Sequence, residues 1–307
     1  MQILYICSSR LGLPALNQLA QQNMLPCIGV PDRDNEETAQ VLQFARVMNI
    51  PVQRLSKKSL ARDLKKWIKS YQADLVVTMT FPWKVPAEIL RMPSYGFYNF
   101  HYARLPEYRG PQPLFWVIRN REAFGAVTIH KMDKNIDTGG IALIEDVPLL
   151  PEENYAQHTN RLAVAGLQAL GKFFNQLLAG QVQLQPQDKK KAKWWPQPDL
   201  GDTSIDWNDS AAEILALIKA CNPWNKGAFC ALNGSVVRIT EARISEREQA
   251  GKAGEISLEE NECHICAGDG KWLTVDILLS DDGYLAGRSL AQNPALNGLV
   301  FTKVETA

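Results

Sequence analysis

Apolar and polar positions alternate in two rhythms along the first half of the chain. Short β-branched or aliphatic runs at 3–7, 26–30, 51–55, 74–80 and 96–100 read as strands. The stretches at 14–22, 36–48 and 60–71 carry apolar residues every three or four positions, as a helix with one buried face requires. This alternation predicts βαβ units, and so a Rossmann-like, doubly wound, mostly parallel sheet covered on both faces. Two further strands are expected at 126–132 and 142–147. A long helix follows at 154–180, where Leu162, Leu167, Leu170, Phe174 and Leu178 recur at three- to five-residue spacing.

From 181 to 202 the periodicity stops. Lys189-Lys190-Lys191 and several prolines read as an exposed linker. Trp194-Trp195 is too apolar to leave bare, so the pair is expected to pack on a domain. Further on, Asp209 or Ser210 is a candidate N-cap for a helix at 211–220, which Asn222-Pro223 ends. Asn233-Gly234 between two apolar runs is a hairpin signal. With strands at 254–258, 263–267 and 273–278, this region predicts a five-stranded, OB-like β-barrel. A length of 307 residues fits two domains. The expected organisation is an α/β domain at 1–184, a linker at 185–202 and an OB-like C-terminal domain at 203–307.

Composition narrows the functional classes. The chain is 46% apolar and 21% charged, ordinary for a globular protein. No apolar run approaches the roughly 20 residues that span a bilayer. The opening Met1-Gln-Ile-Leu-Tyr-Ile-Cys7 reads as a first strand rather than a leader, so no membrane partner and a cytoplasmic location are expected. Cys263-His264-Ile265-Cys266 satisfies the C-x-x-C spacing of metal sites. It lies in a strand-like run, where residues three apart face opposite ways, so no metal is expected. Formal net charge is zero but uneven: residues 201–307 hold 9 Lys and Arg against 16 Asp and Glu, a net of −7. The first 200 residues carry the balancing +7.

The stretch richest in chemistry begins at Asn99 and runs through His101, Tyr102, Arg104, Leu105-Pro106 and Tyr108-Arg109-Gly110. It starts at the carboxyl end of a buried strand, where open parallel sheets place their active sites. Asn99 and His101 are two apart and face the same side. Gly125-Ala126-Val127-Thr128-Ile129-His130 follows, and then Asp137-Thr138-Gly139 on a loop that can reach back over the sheet edge. Singly, such residues are more often structural hydrogen-bonders or turns. Together they suit acyl transfer to an amine. A carboxamide and an imidazolium stabilise a developing oxyanion, and a carboxylate orients the histidine and helps remove the amine proton.

The order Asn99-x-His101-x-x-x-Leu105-Pro106-x-Tyr108-Arg109-Gly110, then Gly-x-Val-Thr-Ile-His and Asp137-Thr-Gly, resembles the signature of the 10-formyltetrahydrofolate-dependent formyltransferases. Ile205-Asp206-Trp207, Asn222-Pro223-Trp224 and Gly227-Ala228-Phe229 resemble the start of that family's C-terminal domain. The resemblance implies Asn99, His101 and Asp137 as the catalytic set and 10-formyltetrahydrofolate as co-substrate. It implies a folate site at Phe81, Pro82, Trp83, Lys84 and Val85, closed by the loop containing Asp133 and Ile136. Arg10, Tyr102 and Arg104, near strand ends, are candidates for the acceptor pocket, though a solvated arginine or a packed tyrosine is an equal reading.

Two departures from the family pattern bear on the acceptor. Ala103-Arg104 stands where the family usually has Ser-Leu, and the 31–37 loop is short and acidic where methionyl-tRNA formyltransferases have a longer basic insertion. A protein that holds several phosphates normally needs a basic face, and the C-terminal region is acidic. That region resembles the formyltransferase domain acting on UDP-4-amino-4-deoxy-arabinose. The expected partner is a small-molecule amine, such as a nucleotide-linked amino sugar or a secondary-metabolite precursor. Initiator methionyl-tRNA is the alternative. A non-catalytic binding relative and a 10-formyltetrahydrofolate hydrolase are further, weaker fits. The sequence does not reveal the oligomeric state.

Overall fold

The computed structural model describes residues 1–33 and 35–304; Asp34, part of the acidic loop singled out above, lies outside them. The chain forms two compact units. The first holds Met1–Pro113, Phe124–Pro148 and Thr159–Pro196; the second holds Leu114–Ala123, Leu149–His158 and the chain from Gln197 onward.

Unit 1 is built on a seven-stranded sheet of order β3-β2-β1-β4-β5-β6-β7. The strands are β1 (Ile3–Cys7), β2 (Ile28–Pro31), β3 (Val52–Leu55), β4 (Leu75–Met79), β5 (Gly96–His101), β6 (Phe124–Lys131) and β7 (Ile141–Pro148). The first five are parallel, while β6 pairs antiparallel with β5 and β7 antiparallel with β6. β1, β2 and β4 are buried along their whole length. Strands covered on both faces have no polar side to show, which is why these read as unbroken apolar runs.

The covering helices form where the periodicity placed them. Helix α1 (Leu13–Gln21) follows β1. Helix α2 (Glu36–Val47) starts at Asn35, whose side chain accepts from Thr38 N at 2.8 Å, and it opens with two glutamates. Helix α3 (Leu60–Tyr71) buries Leu60, Leu64, Trp67 and Ile68 on one stripe. These meet Leu4, Ile6, Leu55, Val76 and Phe97 in one core cluster. A short α4 (Ala87–Leu90) precedes β5, and α6 (Tyr155–Leu178), which belongs to unit 1 from Thr159 on, follows β7; α5 (Pro113–Arg119), between β5 and β6 in the chain, falls to unit 2 from Leu114 on.

The segment read as an exposed linker is held against unit 1 over its first part. Gln185 and Ile141 exchange backbone hydrogen bonds at 2.8 Å, and Trp195 N donates to Arg109 O at 2.9 Å. The Trp195 ring stacks on Tyr108 at 5.5 Å. Trp194 is 53% exposed, so only one of the two tryptophans is packed as expected.

Unit 2 carries α7 (Ala211–Cys221), begun by a capping box between Ser210 and Glu213, and an antiparallel sheet. Its strands are β8 (Ala228–Leu232), β9 (Ser235–Ile244), β10 (Ile256–Glu259), β11 (Glu262–Cys266), β12 (Trp272–Ser280) and β13 (Gly283–Ala286). The Asn233-Gly234 hairpin joins β8 to β9, with φ of 50° and 82° at the two turn residues. The sheet has six strands rather than the expected five. The added β13, only four residues long, pairs with the far half of β12. Cys263 and Cys266 are both buried on β11, and burial pushes the Cys263 thiol up to about 12. Among the described residues no group of three His, Cys, Asp or Glu side chains could hold a metal, and no helix is long and apolar enough to cross a membrane.

Trp67 is 2% exposed in the core that seats α3. Trp67→Ala is expected to cost about 3–5 kcal/mol, read as a lower urea midpoint with an unchanged slope.

Candidate active site

The sheet order reverses between β1 and β4, which opens a crevice at their carboxyl ends. Register then places a polar row across neighbouring strands. Thr78 on β4 pairs with Asn99 on β5, and Asn99 faces His130 on β6. The next pair, His101 and Thr128, lies two residues further along the same face.

The hydrogen bonds fix the orientation of each group in this row. Thr78 Oγ1 donates to Asn99 Oδ1 at 2.7 Å. The Asn99 amide nitrogen is therefore the end that meets His130 Nε2, at 3.2 Å. An amide nitrogen only donates, so Nε2 accepts and the His130 proton sits on Nδ1, directed to the Lys131 carbonyl at 3.4 Å. This is a neutral imidazole. Burial is the main cause, and it holds the His130 pKa down to about 4, with His101 adding to the depression and Asp137 opposing it. Asn99 keeps its second amide hydrogen, and the residue is only half-buried.

His101 is 7% exposed, and its Nε2 lies 2.6 Å from the Tyr108 carbonyl. A carbonyl only accepts, so Nε2 carries a proton and Nδ1 is the nitrogen left facing the carboxylate. Nδ1 is 3.7 Å from Asp137 Oδ1. The same oxygen is 3.7 Å from His130 Nε2, and the other, Oδ2, accepts from Gly110 N at 3.1 Å. Asp137 is 8% exposed and adopts φ of 55°, a left-handed conformation that Asp tolerates better than most residues.

The loop around Asp137 is pinned from several sides. Gln187 Nε2 donates to the carbonyls of Asp137 at 3.0 Å and Gly139 at 2.8 Å. Gln187 Oε1 accepts from Arg109 Nη2 at 2.6 Å. Gly139 lies so close to the Lys131 carbonyl that a Cβ there would sit 1.7 Å from the oxygen, so no other residue fits. Asp133 closes the turn by accepting from Asn135 N at 2.9 Å and Thr138 Oγ1 at 2.7 Å.

Beside this cluster lies a cleft of about 720 Å³ lined by 57–62, Pro82, Trp83, Lys84, Pro86 and Ile136. Phe81 packs edge-on to Trp83 at 5.5 Å, and Val85 turns into the core at 3% exposure. Of the residues named for a folate site, Pro82, Trp83, Lys84 and Ile136 line the cleft, while Phe81, Val85 and Asp133 do not. The acceptor candidates are engaged differently. Tyr102 is buried, and its hydroxyl donates to Leu11 O at 3.1 Å, so it packs rather than offering a ligand contact. Arg104 forms an ion pair with Asp146 on β7. Arg10 is half-buried in the turn Arg10–Gly12 after β1.

His130 and Gln187 were not singled out from the sequence. His130 ends the quoted Gly-x-Val-Thr-Ile-His run, and strand pairing would have set it against Asn99. Gln187 gave no signal, because it sits in a stretch that reads as a linker.

The fold and the site together define an α/β enzyme scaffold with an amide, imidazole and carboxylate cluster at the carboxyl edge of its sheet. The chain belongs to the formyltransferase family: residues 17–173 match "Formyl transferase" and residues 200–289 match "Formyl transferase, C-terminal domain". It is 31% identical over 246 residues to the methionyl-tRNA formyltransferase of Geotalea uraniireducens, covering 78% of each chain. Among solved structures it is similar to an N-formyltransferase from Helicobacter canadensis in complex with folinic acid and dTDP-3-aminofucose. The TM-score there is 0.69 at 15% identity, over 90% of this chain and 98% of that one. It is also similar to HypX from Aquifex aeolicus in complex with tetrahydrofolic acid, with a TM-score of 0.63 at 19% identity, over 94% of this chain and 46% of that one. At these identities the two structures show a shared fold.

The neutral His130 couples stability to pH. The unfolded chain protonates this side chain near pH 6.5, the folded chain only near pH 4. The folded state has its full advantage above pH 6.5 and loses about 3 kcal/mol as pH falls through that interval. His130→Gln keeps an acceptor for Asn99 and cannot titrate. Denaturant midpoints across this pH range are expected to show a shallower acid-side decline in the variant than in the native chain.

Proposed function

We propose that the protein transfers the formyl group of 10-formyltetrahydrofolate to the primary amine of a small molecule, with a nucleotide-linked amino sugar as the favoured class. The observation that carries this reading is the meeting of two side chains of β5 with one from the loop after β6. Asp137 Oδ1 stands 3.7 Å from His101 Nδ1, and Asn99 keeps an amide hydrogen two residues before that imidazole. The cleft beside them suits folate, with an indole, two prolines and an isoleucine for an aryl body and lysines for an anionic end. Relatives of this fold that hold folates point the same way. When bound, the folate supplies a formyl carbon on a nitrogen that must leave with a proton.

The residues divide the remaining work. The free Asn99 Nδ2–H donates to the formyl oxygen as negative charge grows there. His101 is held through Nε2 on Tyr108 O, so its Nδ1 takes the proton of the attacking amine. The same nitrogen returns that proton to the departing one, so none is gained or lost. Asp137 faces the imidazolium formed in between and stabilises its charge. His130, kept neutral, holds Asn99 in line without adding a competing positive charge. The expectation that His101 donates to the oxyanion is thereby revised: its Nε2–H is committed to Tyr108.

The charge of the C-terminal region supports a small acceptor. Of its nine cations, Lys219 pairs with Glu152, Arg243 with Glu262 and Asp276, Arg247 with Glu259 and Lys303 with Asp206. The other five, Lys226, Arg238, Lys252, Lys271 and Arg288, stand among sixteen acids, a poor face for a row of phosphates. The second reading, initiator methionyl-tRNA, is favoured by the activity named for the 31%-identical relative.

Release of tetrahydrofolate against a panel of nucleotide amino sugars, amino acids and charged tRNA tests the proposal. Asn99→Ala is expected to lower kcat on the order of 10²–10³. Asp137→Asn is expected to lose most turnover while still binding folate; undiminished turnover would remove Asp137 from the mechanism. Tight binding of methionyl-tRNA that weakens steeply with salt would replace the small-molecule reading with the second.

A further inference from the structure

Tyr108, Arg109 and Gly110 are consecutive, and each is tied to a different part of the candidate site. The Tyr108 carbonyl lies 2.6 Å from His101 Nε2, and the Gly110 amide donates to Asp137 Oδ2 at 3.1 Å. Between them the Arg109 side chain donates to Gln187 Oε1 twice, from Nε at 3.1 Å and from Nη2 at 2.6 Å. The Arg109 backbone is held as well. Its N–H donates to Lys193 O at 3.1 Å, and its carbonyl accepts from Trp195 N at 2.9 Å.

The loop that carries Asp137 is exposed from Asp133 to Ile136, and within 133–139 Asp137 and Gly139 are the buried residues. A buried carbonyl needs a donor. Gln187 Nε2 meets both of these carbonyls, at 3.0 Å and 2.8 Å. A guanidinium only donates and a carbonyl only accepts, so one orientation of the Gln187 amide serves all its partners. A glutamate there would keep the arginine but set an oxygen against two carbonyls.

We infer that Gln187, oriented by Arg109, is a positioning residue of the transfer reaction: it sets the Asp137 carboxylate against His101 and acts on turnover through that carboxylate. The inference rests on the formyl-transfer reading for the role of Asp137, while the brace is a property of the protein without ligand. Asp137 Oδ1 stands 3.7 Å from His101 Nδ1, longer than a hydrogen bond, so a displacement of under about 1 Å decides whether the pair engages. A misplacement of about 1 Å costs on the order of 10² in rate.

Two variants separate the contacts. Gln187→Glu keeps an acceptor for Arg109 and loses both donors to the loop, whereas Gln187→Leu loses every one of these bonds at similar size. By amide hydrogen exchange, the strands β1 and β4 are expected to stay as protected as in the native protein, while the Gly110 amide exchanges on the order of tenfold faster in both variants. With the amine that the acceptor panel identifies, both are expected to lower kcat by on the order of 10–10² and to leave KM for 10-formyltetrahydrofolate within about twofold. In an Asp137→Asn background Gln187→Leu is expected to cost nothing further, because its route to the chemistry is already gone. Native protection of the Gly110 amide in both variants overturns the brace. Native turnover in Gln187→Glu, or losses that multiply with Asp137→Asn, overturns its action through the carboxylate. If no amine in the panel is formylated, the formyl-transfer reading falls and takes the catalytic half of the inference with it, while Gly110 exchange still decides whether Gln187 holds the loop.

Discussion

The Asp137 carboxylate is buried beside two imidazoles, and the arrangement around it follows from making that burial tolerable. A charge taken out of water without partners costs several kcal/mol. Here the Gly110 amide donates to one oxygen, and His101 stands near the other. To bring the carboxylate back over the strand ends, the chain bends into a left-handed conformation at Asp137 and passes against Lys131 at Gly139. Such a bend persists only if its surroundings determine it. Gln187 does so by bonding two of its carbonyls, and Arg109 in turn holds Gln187. A segment that looks like a tether between domains thus acts as a brace for the site.

The neighbouring row illustrates how one group that can only accept sets the direction of a chain of hydrogen bonds. The Lys131 carbonyl accepts from His130, His130 accepts from Asn99, and Asn99 accepts from Thr78. No member can reverse without leaving a buried donor unmet. Burial has a second effect. It removes the charge from His130, so the two histidines near Asp137 play different parts. One is a fixed dipole that aims an amide. The other is fixed through Nε2 on the Tyr108 carbonyl and turns Nδ1 to the carboxylate. Two chemically identical rings are separated by environment alone.

Much of unit 1 was legible because its constraints are periodic. Asn99 and His101 announce themselves by spacing of two at the end of an apolar strand. The antiparallel direction of β6 and β7 was not legible, since the pattern of a strand does not record which way it runs. β13 escaped because four residues with one exposed tyrosine show no alternation. Tyr102 and Arg104 were chosen for lying near strand ends, which is a statement about backbone. Their side chains turn to Leu11 and Asp146, and sequence position has no access to that choice. Gln187 lies 50 residues from the carbonyl it holds, in a stretch whose own composition suggests solvent.

Charge gives the last step of the argument about the acceptor. The first 200 residues carry a net +7, which by itself could suggest a surface for nucleic acid. Three of those cations, Lys57, Lys58 and Lys84, gather without acidic partners around one cleft, and Arg62 joins them. A cleft is the wrong shape for a duplex, whose phosphates repeat along a line and need cations spread along a face. It is the right shape for a small ligand with an apolar body and an anionic end. The C-terminal region, whose acids outnumber its bases and pair with several of them, offers no compensating stripe. The unpaired positive charge of the chain is therefore gathered at one cleft rather than spread along a face, as a polyanionic acceptor would need.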